Sequence, residues 1–162
     1  MKKIILVRHA KSSWEKPFLR DHDRPLAERG IKAAPEMGKR LKSRNIEPDL
    51  ILSSTAERAK STAQLISKEL QQSDALVRLD KNLYHASPPT LLSIIRKLPE
   101  SLETVLLVGH NPGLNDLANQ WGASLENLPT AAVYAVKANS TWTDFNADKV
   151  EFWFYDFPKN KA

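Results

Sequence analysis

Lys3-Ile4-Ile5-Leu6-Val7-Arg8-His9-Ala10-Lys11-Ser12-Ser13-Trp14 is the stretch that decides how this chain folds. Ile4 to Val7 is an uninterrupted aliphatic run of strand length, suited to a strand covered on both faces. It stops at an arginine and a histidine. In open α/β sheets the C-terminal ends of the strands border the crevice where ligands bind. Arginine offers a bidentate fork to two phosphate oxygens, and a neutral imidazole nitrogen is a competent nucleophile toward phosphorus. Taken alone, Arg8 and His9 read more readily as a strand end capped in solvent. The partners supplied by the rest of the chain change that balance.

Outward from this strand comes a polar loop, roughly Ala10 to Pro25, carrying Trp14, Phe18 and Asp21-His22-Asp23-Arg24. Loops of that length tend to be functional or mobile. A helix is expected from near Leu26, with Ile31, Ala34 and Leu41 on its inner face and Lys39 to Arg44 in its last turn. Pro35 should kink it or lie close to its true start. Asp49 to Ser53 reads as a second strand, and Ser54-Thr55-Ala56-Glu57 matches a capping box with Ser54 at the N-cap. The helix it opens carries Ala59, Thr62, Ala63, Ile66 and Leu70 on one stripe. Arg58 falls in its first turn, beside free backbone N–H groups that favour anions.

Leu76 to Leu79 is a weaker strand, and Pro88-Pro89 precede a helix bearing Leu91, Leu92, Ile95 and Leu98. Thr104 to Val108 is the clearest buried strand; it runs into Gly109-His110-Asn111-Pro112-Gly113 and a short helix from Leu114 to Trp121. Ala132 to Val136 and Val150 to Tyr155 alternate like two final strands. The order of elements predicts an α/β three-layer sandwich with a mostly parallel central sheet flanked by helices, as a single domain over residues 1–162.

Composition narrows the function. Hydrophobic residues at 41% and charged residues at 27% are ordinary for a globular protein. The net charge of +5 is modest, and Lys39, Arg40, Lys42 and Arg44 read as a solvated helix end. Nucleic-acid binding wants a denser basic stripe with interleaved aromatics. Without cysteine there are no disulfides, thiolate metal sites or cysteine nucleophiles. The apolar start is too short for a signal peptide and no stretch approaches a membrane span. The expectation is a cytoplasmic protein with no nucleic-acid or membrane partner, whose oligomeric state no apolar stripe announces. Asp21-His22-Asp23 has the composition of a metal cluster, yet no further ligand is fixed nearby, so it reads as a solvated loop; no metal or cofactor is expected.

Three strands thus end in polar residues: Arg8-His9, Ser53 leading to Arg58, and Gly109-His110. As neighbours in one parallel sheet, all three ends face the same edge. Two arginines and two histidines would then surround a volume suited to a tetrahedral dianion and stabilise phosphoryl transfer without a metal.

This set resembles the histidine phosphatase superfamily, the phosphoglycerate-mutase-like enzymes, and more particularly the small phosphohistidine phosphatases of the SixA type. Arg8-His9-Ala10 stands where the family has Arg-His-Gly. The likeness continues through Asp23 to Gly30, Ser53 to Ala63, Leu83 to Pro88 and Val108 to Gly113, in the family's order and over essentially the whole chain. The resemblance implies a phosphoglycerate-mutase-like fold and four catalytic side chains. His9 would attack phosphorus, Arg8 and Arg58 would clamp the phosphoryl oxygens, and His110 would donate a further hydrogen bond. Ser13, Arg24, His85 and the backbone N–H of Asn111 join them as candidate substrate-binding groups. The implied partner is a phosphate-bearing substrate, a histidine-phosphorylated protein among the candidates.

Two departures matter. Ala10 replaces the signature's glycine, which bears on loop geometry. Larger relatives carry a glutamate general acid in a Leu-x-Glu context, where this chain reads Leu83-Tyr84-His85. An alkoxide needs a positioned proton donor, commonly worth about 10²–10⁴ in rate, whereas imidazole, with a conjugate acid near pKa 6.5, departs with little help. A phosphoramidate or another phosphate with a good leaving group is therefore the expected substrate. His85 reads either as a replacement acid or as a surface residue before the Pro-Pro turn. Glu15 stands where relatives acting on sugar phosphates often show asparagine, which counts against that substrate class. A small-molecule phosphatase for sugar phosphates or nucleotides is the nearest alternative, and a non-catalytic phosphate- or phosphoprotein-binding module is the alternative of another kind.

Overall fold

Ile4, Ile5, Leu6 and Val7 are all fully buried, because the strand they form lies in the middle of a sheet covered on both faces. The structure, a computed structural model, describes residues 1–72 and 76–160. The strands are β1 (Lys2–Arg8), β2 (Leu50–Ser53), β3 (Val77–Leu79), β4 (Thr104–Gly109), β5 (Val133–Ala138) and β6 (Val150–Asp156). The helices are α1 (Glu28–Ser43), α2 (Glu57–Glu69), α3 (Pro88–Arg96) and α4 (Gly113–Gln120). The sheet order is β3-β2-β4-β1-β5-β6; β1 to β4 run parallel, and β5 and β6 close one side antiparallel. This is the α/β sandwich expected from the order of elements.

Alternate side chains of β1 feed two cores. Ile4 and Leu6 pack with Leu107, Leu91, Ile95 and Leu117 on the α3–α4 side. Ile5 and Val7 pack with Leu106, Val108, Met37 and Ile66 on the α1–α2 side. Burying each such side chain stabilises the fold by about 1.5–3 kcal/mol, so a strand apolar at every position has only one comfortable place.

Several local expectations are corrected. The buried face of α1 is Gly30, Ala34, Met37, Gly38 and Leu41; Ile31 lies outside it and is 52% exposed. Pro35 sits well inside α1, where it has no N–H to give the Ile31 carbonyl one turn before it. The capping box does not form. α2 begins at Glu57 with Ala56 at the N-cap and no side-chain cap. The Ser54 hydroxyl instead accepts the Ala56 N–H and lies 2.8 Å from His110 Nε2. Ser54 is therefore drawn to the site by tertiary contact rather than kept for the helix. The expected stripe of α2, from Ala59 to Leu70, is buried throughout. No helix among the described residues is long and apolar enough to cross a membrane.

Beyond β6 the chain is strapped to α1. Arg40 donates to the carbonyls of Phe157, Pro158 and Asn160 and to the Asp156 carboxylate, itself buried.

Candidate active site

Parallel pairing sets the site. Arg8 pairs with Gly109 across β1 and β4, and Ser53 pairs with Val108 across β2 and β4, so three strand ends arrive at one edge. The His9 N–H donates to the Gly109 carbonyl, extending the ladder one residue past the strand. The Ala10 N–H donates to Thr62 Oγ1, whose hydroxyl in turn donates to the Arg58 carbonyl, which ties the loop after β1 to the first turns of α2. Ala10 is fully buried and is not among the residues with left-handed φ, so alanine meets the backbone demand at that position.

Two glycines let loops approach closely. A Cβ on Gly30 would collide with the Lys11 backbone, so the loop after β1 can lie directly on α1. Across that contact the Ala27 N–H donates to the Lys11 carbonyl and the Ser13 N–H to the Pro25 carbonyl. A Cβ on Gly113 would collide with the Ala86 carbonyl, which seats the His85 turn against the loop that carries His110.

The resulting cavity, about 270 Å³, is lined by Arg8, His9, Lys11, Ser12, Trp14, Arg24, Arg58, His85, His110, Asn111 and Thr130. Arg8, His9, Arg58 and His110 thus share one cavity, joined by Arg24, His85 and Asn111. Ser13 does not line it; its hydroxyl accepts the Glu15 N–H, and Ser12 occupies the position next to the cavity instead. Asn111 faces it while its side-chain amide donates to Asn127 Oδ1 and to the Leu128 carbonyl.

His9 and His110 are 7% and 4% exposed, with ring centroids 5.1 Å apart. The His9 Nδ1–H donates to the Ala10 carbonyl at 2.8 Å, so Nε2 carries the free lone pair. Burial pushes the His9 pKa down to about 4; the Ala10 bond opposes that, and the charges of Arg58, Arg8 and Arg24 reinforce it. Burial likewise lowers His110 to about 3, aided by His9, Arg58 and His85 and opposed by Asp21. Both imidazoles are neutral at ordinary pH; His9 keeps a free lone pair on Nε2, and His110 has a single ring nitrogen, Nδ1, with no partner among the described residues. Arg8 Nη1 donates to the Leu128 carbonyl while Nε has no partner, and burial followed by the Arg58 charge lowers its pKa.

Asp21 is what the reading of the residues missed. Its Oδ2 accepts from Arg58 Nη2 at 2.9 Å and from the Tyr84 hydroxyl at 2.6 Å, and lies 3.3 Å from His85 Nε2. Its Oδ1 is 3.2 Å from Arg24 Nη1, and its carbonyl accepts from Arg58 Nη1 at 2.7 Å. The expectation of a solvated Asp21-His22-Asp23 loop is therefore corrected at Asp21. Burial raises the Asp21 pKa, but hydrogen bonds from Tyr84 and Arg58 and the Arg58 charge outweigh it and hold the carboxyl well below the usual range. The resting Asp21 is an anion on Arg58 with no proton to give. No local pattern announces this residue; a signal would have required knowing that the loop folds back over α2. Among the described residues no three His, Asp or Glu side chains are grouped to hold a metal ion.

Arg24 is buried, donates from Nε to the Ser13 carbonyl and from Nη2 to Ser12 Oγ, and lies 3.2 Å beneath the Trp14 ring. Trp14 itself is 67% exposed, so the rim of the cavity is an aromatic plate resting on a fixed cation. His85 adopts a left-handed backbone, stacks on Tyr84 at 4.0 Å and is half exposed at the mouth.

A buried histidine with one ring nitrogen free, beside a second buried histidine, an arginine at the end of β1 and another in the first turn of α2, is an arrangement chemically able to take up a phosphoryl group. Residues 4–85 match the model of the histidine phosphatase superfamily, branch 1, and the chain belongs to that family. An uncharacterized protein of Mycobacterium tuberculosis is 33% identical over 149 residues, covering 85% of this chain and 90% of that one. An uncharacterized chloroplastic protein of Arabidopsis thaliana is 30% identical over 88% of this chain and 70% of that one. Among solved structures, a protein named as the phosphohistidine phosphatase SixA of Agrobacterium tumefaciens superposes with a TM-score of 0.81 at 27% identity, covering 97% of this chain and 99% of that one. The protein histidine phosphatase SixA complexed with tungstate gives a TM-score of 0.81 at 19% identity, over 96% of this chain and 97% of that chain.

Proposed function

We propose that the protein is a metal-independent phosphatase that passes a phosphoryl group through His9 and acts on phosphohistidine in a protein. The observation that carries this reading is the tautomer of His9: the Ala10 carbonyl holds the proton on Nδ1, leaving a neutral Nε2 in a cavity walled by Arg8 and Arg58. In the first step Nε2 forms a bond to phosphorus as the bond to the leaving group breaks, with the arginines stabilising the equatorial oxygens. In the second, water attacks the phosphohistidine, releasing inorganic phosphate and regenerating the imidazole. His110 donates to a phosphoryl oxygen through the nitrogen not held by Ser54.

The substrate class follows from the available acids. Among the described residues no carboxyl group lines the cavity, and Asp21, which meets the lining residues Arg24, Arg58 and His85, is held ionised by Tyr84 and Arg58. A leaving group that needs no proton from the protein is favoured: a phosphohistidine ring that has taken a proton from solvent on its other nitrogen departs as neutral imidazole. The likeness to proteins named as SixA supports the same choice. The mouth also suits a protein, because Trp14 and His85 stand exposed at its rim.

The test compares a phosphohistidine peptide with an alkyl phosphate, and looks for acid-labile, alkali-stable phosphate on the protein during turnover. Turnover of the phosphohistidine peptide at least 10²-fold above the alkyl ester is expected, with labelling lost in His9→Ala. Faster hydrolysis of the alkyl phosphate, or labelling that survives His9→Ala, overturns the reading.

A further inference from the structure

A second cavity, of about 840 Å³, adjoins the catalytic one and shares Arg8, Lys11 and Thr130 with it. Beyond that shared wall lie Arg29, in the first turn of α1, and Lys159, in the segment after β6; Phe157 and Pro158 give it an apolar side. Among the described residues none of its lining side chains is acidic.

Its cations differ from the others near the site. Arg24, Arg40 and Arg58 each meet a carboxylate within 3.3 Å. Arg8 bonds only a carbonyl, and Lys11, Arg29 and Lys159 have no ion pair or side-chain hydrogen bond among the described residues. Like charges left uncompensated along a groove with low-dielectric walls raise its potential and draw in an anion. Lys11, Arg29 and Lys159 are exposed, come from three separate segments and line a groove about three times the volume of the catalytic cavity, more room than one compact anion fills. Separated carboxylates joined by a chain that can lie on Phe157 and Pro158 suit them better. The Arg40 strap holds this wall in place without any ligand.

We propose that this groove receives an acidic segment of the substrate protein, aspartates or glutamates flanking the phosphorylated residue, while the phosphoryl group sits against His9. The proposal rests on the reading of the substrate as a phosphoprotein and adds what must surround the phosphorylated residue.

Fluorescence anisotropy of fluorescein-labelled hexaglutamate with the whole protein tests it without requiring catalysis. Binding weakened at least 10-fold in Arg29→Gln/Lys159→Gln is expected, with p-nitrophenyl phosphate turnover unchanged. Lys97→Gln/Lys149→Gln, which removes the same charge from the α3 side of the sheet, should bind as the parent does. Absence of binding, or equal weakening in both double variants, overturns the proposal, as does tripolyphosphate binding at the groove when hexaglutamate does not. Because peptide binding is read apart from hydrolysis, loss of the phosphohistidine activity and loss of the acidic groove are separate results.

Discussion

Two aspartates each gather arginine around a loop, and they do so in different surroundings. Asp156 is buried; it accepts from Arg40, from the Phe157 N–H and from the Asn160 side chain, while Arg40 also donates to three carbonyls and, through Nε, to Glu36 Oε1. Asp21 is exposed at a cavity mouth, and its arginines are ones that a phosphate also wants. If Arg58 clamps the phosphoryl group as proposed, the Asp21 carboxylate occupies a place that an incoming phosphoryl oxygen would take. The first knot is a fastening. The second, on that proposal, is an exchangeable contact, open to bulk water and to a competing dianion.

Arg58→Ala should lower kcat on a phosphohistidine peptide by about 10²–10³, the usual loss when one well-placed donor to a transition-state oxyanion is removed. A loss below 10-fold in steady-state assays means that Arg58 serves Asp21 rather than the phosphoryl group.

Arg40→Ala leaves three carbonyls and a buried carboxylate short of donors. It should destabilise the fold by about 1–3 kcal/mol in urea titration, with p-nitrophenyl phosphate turnover nearly unchanged. Unaltered stability would remove the distinction between the two knots.

Asp21→Asn tests the exchangeable contact. The Asp21 carbonyl still holds Arg58 Nη1, so the guanidinium stays in place while its competing charge is gone. Inhibition by inorganic phosphate should tighten by roughly 3- to 10-fold, about 1 kcal/mol, with little change in stability. Weaker inhibition would identify Asp21 as the group that positions Arg58 rather than one that competes with substrate.

Much of the fold was legible because the residues permit few arrangements. Runs apolar at every position, Ile4 to Val7 and Thr104 to Val108, have to lie within a sheet covered on both faces, and the stripe of α2 has to face it. Reading failed where a residue had two partners of comparable worth. Ser54 fits a capping box by pattern, but His110 and the Ala56 N–H are on offer once the sheet has formed. Ile31 fits an apolar face by hydropathy, but α1 presents Gly30 and Ala34 inward, and the close approach to Lys11 leaves no room for a larger side chain.

The amino-acid sequence by itself determined the alternation of elements, the strand ends that carry Arg8, His9 and His110, and the absence of a glutamate at Leu83-Tyr84-His85. These are properties of residue type and spacing, which no packing can alter. Only the folded arrangement places Asp21 on Arg58, turns Ser13 away while Ser12 lines the cavity, and brings Lys159 to the same groove as Arg29. Each of those depends on where a long loop or a chain terminus comes to rest, and that is settled by contacts between residues tens of positions apart, to which local periodicity is blind.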